Sequence, residues 1–83
     1  MVEQQVRSIL RDTLQLGARA DRLGPDSALM GAIAELDSMA VVTVIAAIEE
    51  QCGIVVEDDE ISAETFATFG SLVAFVTSKA PHP

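Results

Sequence analysis

The chain has 83 residues and a net charge of −8, with 49% hydrophobic residues, 4% aromatic residues and neither Trp nor Tyr. One domain of this length, residues 1–83, buries only about 60–65% of its unfolded surface, so its core must be helical and built from Val, Ile, Leu and Ala, with little room for a self-contained catalytic cleft. The acidic balance repels nucleic acid and anionic lipid, the longest apolar run falls far below the ~20 residues of a membrane span, no signal peptide is read at the Met1 end, and the single Cys52 cannot form an internal disulfide, so the expectation is a soluble cytoplasmic monomer.

The first helix is expected over residues 2–16. Val2, Val6, Ile9, Leu10 and Leu14 form its apolar stripe, and Glu3, Gln4, Arg7, Ser8, Arg11, Asp12 and Gln15 cover the other side. Gly17 is placed to end it in the left-handed conformation that glycine tolerates. From there to residue 35, Gly17, Gly24, Pro25 and Gly31 interrupt regular structure. A structureless loop of that length is unusual in a compact domain. Leu23, Leu29, Met30, Ile33 and Leu36 recur through it, however, so it is expected to lie pinned across the bundle, with a helical turn near residues 27–30 that Gly31 breaks.

The second helix, residues 38–52, is expected to be the central one. Val41, Ile45, Ile48 and Cys52 share a stripe, with Val42 and Val44 alongside; Val and Ile are mediocre helix formers, so burial rather than propensity must hold it. Cys52 on that stripe reads as a small hydrophobe rather than a reactive thiol. Gly53 ends the helix. Ile54, Val55 and Val56 then run extended, and no second strand exists to pair with them. Ser62 is placed to cap a short third helix through Phe66, with Glu64 in its first turn, and Thr68 to cap a fourth, with Phe69, Leu72, Val73 and Val76 inward and Lys79 at its negative end. Residues 80–83 should fray. The expected fold is all-α: a small four-helix bundle with a long first loop and a short third helix.

Charge is distributed unevenly. Residues 1–25 carry Arg7, Arg11, Arg19 and Arg22 against three acids, whereas residues 26–83 carry ten acids against Lys79 alone. Such a face is steered toward basic patches on protein partners, or simply keeps the chain soluble. Glu57, Asp58, Asp59 and Glu60 form its densest run; the spacing is not that of an EF-hand loop, so it would bind divalent cations only weakly and without specificity.

The chemistry centres on Leu36-Asp37-Ser38-Met39, where the loop ends and the most apolar helix begins. Asp37 is the natural N-cap, its carboxylate accepting first-turn N–H groups and favoured by the helix dipole. Ser38 is then the first helical residue. A phosphate is stabilised at such a position by the same N–H groups, so a serine there is suited to carry a phosphodiester, although an Asp-Ser pair alone is usually just a cap. Nucleophilic catalysis finds no base, because the single histidine is His82 in the tail, and Leu36 and Ala40 stand where a Gly-x-Ser-x-Gly elbow needs glycine.

Asp37-Ser38 followed by a hydrophobe and opening an apolar helix, in an acidic chain of this size, resembles the acyl carrier protein family, the phosphopantetheine-binding carriers. The resemblance spans nearly the whole chain: Asp26-Ser27-Ala28-Leu29-Met30-Gly31 looks like the family's loop segment, residues 40–54 like its second helix and residues 68–76 like its last. It implies that the chain is a carrier and not an enzyme, that a phosphopantetheinyl transferase uses coenzyme A and Mg²⁺ to attach 4′-phosphopantetheine to Ser38, and that the arm's thiol holds an acyl group as a thioester. It also implies that acyl-loading and acyl-transferring enzymes dock around Glu35, Asp37, Met39, Glu49 and Glu50, and that an acyl chain enters the bundle near the small side chains of Cys52 and Ala46. Met39 stands where the family usually has Leu, Glu35 where it usually has Gly, and neutral Ala40 and Thr43 where acids are common. Residues 35–42 look more like carriers of bacterial exopolysaccharide and exosortase systems than the housekeeping fatty-acid carrier. An aminoacyl or peptidyl carrier, or an unmodified acidic helical adaptor, are the alternatives.

Overall fold

A computed structural model of the chain describes residues 2–33 and 36–79. Glu35 and the tail at 80–83 lie outside the described residues, and so does the side chain of Asp58. Helix α1 (Val2–Leu14) buries Val6, Ile9, Leu10 and Leu14, the stripe read from the sequence. It ends on Gln15, at φ 55°, before Gly17 is reached. The Leu16 amide donates to the Arg11 carbonyl at 3.0 Å, the closure of a Schellman end, and this folds Leu16 into the core. Gly17, at φ 58°, instead opens a 3-10 helix, Gly17–Arg22, anchored by buried Ala20. That helix has too few turns to leave a period in the sequence.

Helix α2 (Ser38–Cys52) starts on the Asp37 cap and ends on Gly53, at φ 67° and ψ 36°, as expected. Its inward face is rotated from the expected one: Val44, Ile45 and Ile48 are buried, while Val41 and Cys52 are half-buried. Helix α3 (Phe69–Lys79) buries Phe69, Leu72 and Val76. Thr68 caps it reciprocally, its Oγ1 accepting the Ser71 amide at 3.0 Å while its own amide donates to Ser71 Oγ at 3.0 Å. Because α1 packs against both α2 and α3, the first helix, not the second, is the central one. Between α2 and α3 the chain makes a 3-10 helix, Asp58–Glu60. The short third helix is present as turns at 63–66, where Ser62 Oγ accepts the Thr65 amide at 3.3 Å. The fold is all-helical, and among the described residues its one β feature is an isolated bridge between Ala28 and Thr68.

That bridge belongs to a backbone zipper that replaces the helical turn expected near residues 27–30. The amides of Leu29 and Met30 donate to the carbonyls of Ala67 and Phe66 at 3.0 and 3.1 Å, and those of Phe69 and Gly70 donate to Ser27 and Pro25 at 2.8 and 3.0 Å. The other end of the loop is tied by Arg7, which the sequence placed on the solvent side of α1. Its Nη1 donates to the carbonyls of Ala20 and Leu23, both at 2.7 Å, its Nη2 pairs with Glu3 at 3.1 Å, and its guanidinium lies 4.9 Å from the centre of the Phe69 ring. Arg7 Nε is buried with no hydrogen-bond partner among the described residues.

The zipper generates a prediction about Gly70. A Cβ there would lie 2.6 Å from the Pro25 carbonyl oxygen, backbone against backbone, whereas a Cβ at Gly24 would meet nothing within 4 Å. Gly70→Ala should therefore cost about 1–3 kcal/mol, as overpacking does, and lower the thermal midpoint by several degrees. Gly24→Ala should leave it within about a degree, and equal effects of the two would refute the close approach.

Candidate functional site

The loop reaches α2 through Leu36, which is buried, and Asp37, which turns the backbone out to φ −104° and ψ −173°. Asp37 Oδ1 accepts the Ala40 amide at 2.8 Å, and its carbonyl accepts the Val41 amide at 2.9 Å. The amides of Ser38 and Met39 find no partner among the described residues. Ser38 is thus an exposed hydroxyl on the first turn of a capped helix, with free N–H donors and the positive dipole end beside it.

Beside Ser38 opens a cavity of about 290 Å³, lined by Ser38, Met30, Val41, Ile61, Ser62, Ala63 and Phe66. No carboxylate, ammonium or guanidinium lines it, so it suits an apolar guest. Val41 lies three residues after Ser38 on the same helix face. It is half-buried because it faces this opening. Met30 and Phe66 come from the two strands of the zipper. Ala46, one of the small residues expected near an entering chain, is exposed on α2, and neither it nor Cys52 lines the cavity. Nothing in the sequence marks Ile61, Ser62, Ala63 and Phe66 as lining a cavity, because the turns at 63–66 carry no periodicity.

Of the expected docking residues, Met39 is 79% exposed and Glu50 is exposed, with Val42, 66% exposed, on the same outer face of α2. Thr43 is exposed there too, its hydroxyl donating back to the Met39 carbonyl at 3.1 Å. Glu49 differs. It is half-buried, and its carboxylate accepts the Val56 amide at 2.9 Å, so it holds the segment after α2 rather than standing free. Glu35 lies outside the described residues.

The acidic run does not gather around an ion site. Glu60 Oε1 and Oε2 accept from Lys79 Nζ at 2.7 and 2.9 Å, and Oε1 also accepts the Glu57 amide at 3.0 Å. Glu57 and Asp59 are exposed. Among the described residues no three His, Cys, Asp or Glu side chains converge to hold a metal. The Lys79 hydrogen bond, with the Glu57 amide, holds the Glu60 carboxyl below its ordinary value. Burial pushes the Cys52 thiol up, which suits a packing role.

Residues 4–76 match the family model described as the phosphopantetheine attachment site. Among solved structures, the chain is similar to a holo acyl carrier protein from Nitrosomonas europaea, determined in solution by NMR: 56% identity over 93% of this chain and 92% of that one, with a TM-score of 0.85.

The Glu60 pair predicts a pH signature. A carboxyl whose folded pKa is lowered contributes stability that is fully present above its unfolded value, about 4.3, and is lost as pH falls through the folded value. Lys79→Met should therefore melt below the wild type by a constant interval above about pH 5, and the interval should narrow as pH falls through the lowered Glu60 value. Thermal unfolding across the acid range is the measurement; an interval that does not narrow with falling pH would mean that the Lys79 stem, not its charge, is what stabilises.

Proposed function

The chain belongs to the phosphopantetheine-attachment family and is an acyl carrier that bears this group covalently; we propose that Ser38 is the residue that takes it. The observation that carries the assignment is that one exposed hydroxyl sits both on the open amides of α2 and on the rim of an apolar cavity. The group, when bound, supplies a flexible arm ending in a thiol that holds the acyl cargo as a thioester. Asp37 fixes the first turn, the amides of Ser38 and Met39, without a partner among the described residues, would be donors to a phosphate on Ser38, and the cavity offers the acyl chain a place out of water. Tethering then raises the cargo's effective concentration at any docked enzyme.

Partner enzymes, in this reading, meet the outer face of α2: Met39 and Val42 at its upper half, Glu50 below, within the acidic surface that steers association. Exposed charges supply mainly encounter rate and are screened by salt, whereas a desolvated Met side chain supplies contact energy. The neutral Ala40 and Thr43 make this face suited to partners of its own rather than to ones that need a full acidic helix. Among the described residues no helix is long and apolar enough to cross a membrane, and the free Cys52 fits a cytoplasmic setting.

Two measurements test the reading. Ser38→Ala should fold like the wild type yet gain no mass on incubation with coenzyme A and a promiscuous transferase; modification of that variant at Ser27, Ser62 or Ser71 would overturn the assignment. For docking, Met39→Ala should weaken binding of a cognate partner more than Glu50→Gln does at physiological salt. Glu49→Gln is an unsuitable comparator because it also weakens the bond to Val56. The opposite ranking, read by titration calorimetry, would make charge the main contact.

A further inference from the structure

The cavity beside Ser38 has two walls that are held very differently. Met30 and Phe66 are fixed by the backbone zipper, the Met30 amide donating directly to the Phe66 carbonyl at 3.1 Å. Among the described residues, 61–63 make no backbone bond to the first loop; within their own turn the Ser62 carbonyl accepts the Phe66 amide at 3.4 Å and Ser62 Oγ accepts the Thr65 amide at 3.3 Å. They hang between two anchors. Upstream, the Val56 amide sits on the Glu49 carboxylate at 2.9 Å. Downstream, the Thr65 carbonyl accepts Ser71 Oγ at 2.9 Å, at the start of α3.

Between those anchors, one residue ties the wall to the rest of the bundle. Glu60 immediately precedes Ile61. Its carboxylate takes Lys79 Nζ on both oxygens, at 2.7 and 2.9 Å, and its carbonyl accepts Thr65 Oγ1 at 3.1 Å. The ion pair joins positions nineteen residues apart, from the segment before the wall to the far end of α3. Lys79 is the only Lys or Arg in residues 26–83, and it is placed here rather than among the neighbouring acids Glu57 and Asp59. Both partners remain partly exposed, so the pair forms and breaks at modest cost.

We propose that the Glu60–Lys79 pair is a latch on this movable wall. Closed, it holds residues 61–63 over the cavity; broken, it lets them swing between the Val56 and Thr65 anchors and opens the cavity next to Ser38. The consequence for function rests on the reading that the cavity receives the acyl chain: the latch then sets how readily cargo leaves the bundle. Its existence does not depend on that reading.

The experiment uses the full chain before any arm is attached, so failure of the Ser38 assignment would leave it untouched. Amide hydrogen exchange is compared in the wild type, Lys79→Met, Glu60→Gln and Lys79→Arg. The amides of Thr65 and Phe66, both bonded to Ser62 in the closed wall, should exchange about two- to fivefold faster in Lys79→Met and Glu60→Gln, the range an exposed pair supplies, and Lys79→Arg should match the wild type. The zipper amides of Leu29 and Met30 should not change. Unaltered exchange at Thr65 and Phe66 would overturn the latch, and so would equal acceleration at Leu29 and Met30, which would show general loosening of the bundle.

Discussion

Because the Asp37 carboxylate accepts the Ala40 amide, helix α2 begins at a defined residue, and that residue is Ser38. The consequences run along one helix face. Ser38 and Val41 reach the cavity, and Val44, Ile45 and Ile48 continue inward at spacings of three and four residues. Burial of the lower half therefore aims the upper half. Valine and isoleucine would not hold such a helix alone; packing against α1 does, and the cap decides where the exposed hydroxyl emerges.

The cavity depends on a second constraint, the fixing of a long loop in a chain too small to surround it with core. Arg7 meets this at one end. A half-buried guanidinium is costly unless its donors are used, and here two donors close on the carbonyls of Ala20 and Leu23, leaving only Nε without a partner. At the other end the zipper joins residues 25–30 to residues 66–70 through four backbone bonds, with Gly70 admitting the Pro25 carbonyl. One wall of the cavity is thereby rigid. The opposite wall is held by the side chains of Glu49, Glu60 and Ser71 and by one long backbone bond, from the Phe66 amide to the Ser62 carbonyl at 3.4 Å, which separates the part of the site that holds from the part that yields.

The helices and the start of α2 were readable because each has a local cause. The stripe of α1, the Asp37 cap, the Gly53 stop and the Thr68 cap all follow from side chains within a few residues of the feature they produce. What could not be read depends on partners distant in sequence. Arg7 sits at a position that looks polar, and only the returning loop gives it carbonyls to bind. Glu49 looks like a free surface acid until Val56 turns back onto it. The acidic run reads as a solvated face with weak cation binding, yet Lys79, nineteen residues on, pairs with Glu60. The cavity is the same case: its lining comes from a loop, a helix and a run of turns, and no period in the sequence marks a space between three such segments.

A guest tethered at Ser38, as proposed, would enter the cavity between Met30, Val41, Ile61 and Phe66. The most direct test is a set of nuclear Overhauser contacts from the chain methylenes of the octanoyl-loaded protein, isotope-labelled so that carrier and cargo are distinguished. The account predicts contacts to those four side chains and none to Val42 on the outer face of α2. Contacts confined to Met39 and Val42, or a chain with no contact to the bundle, would contradict it.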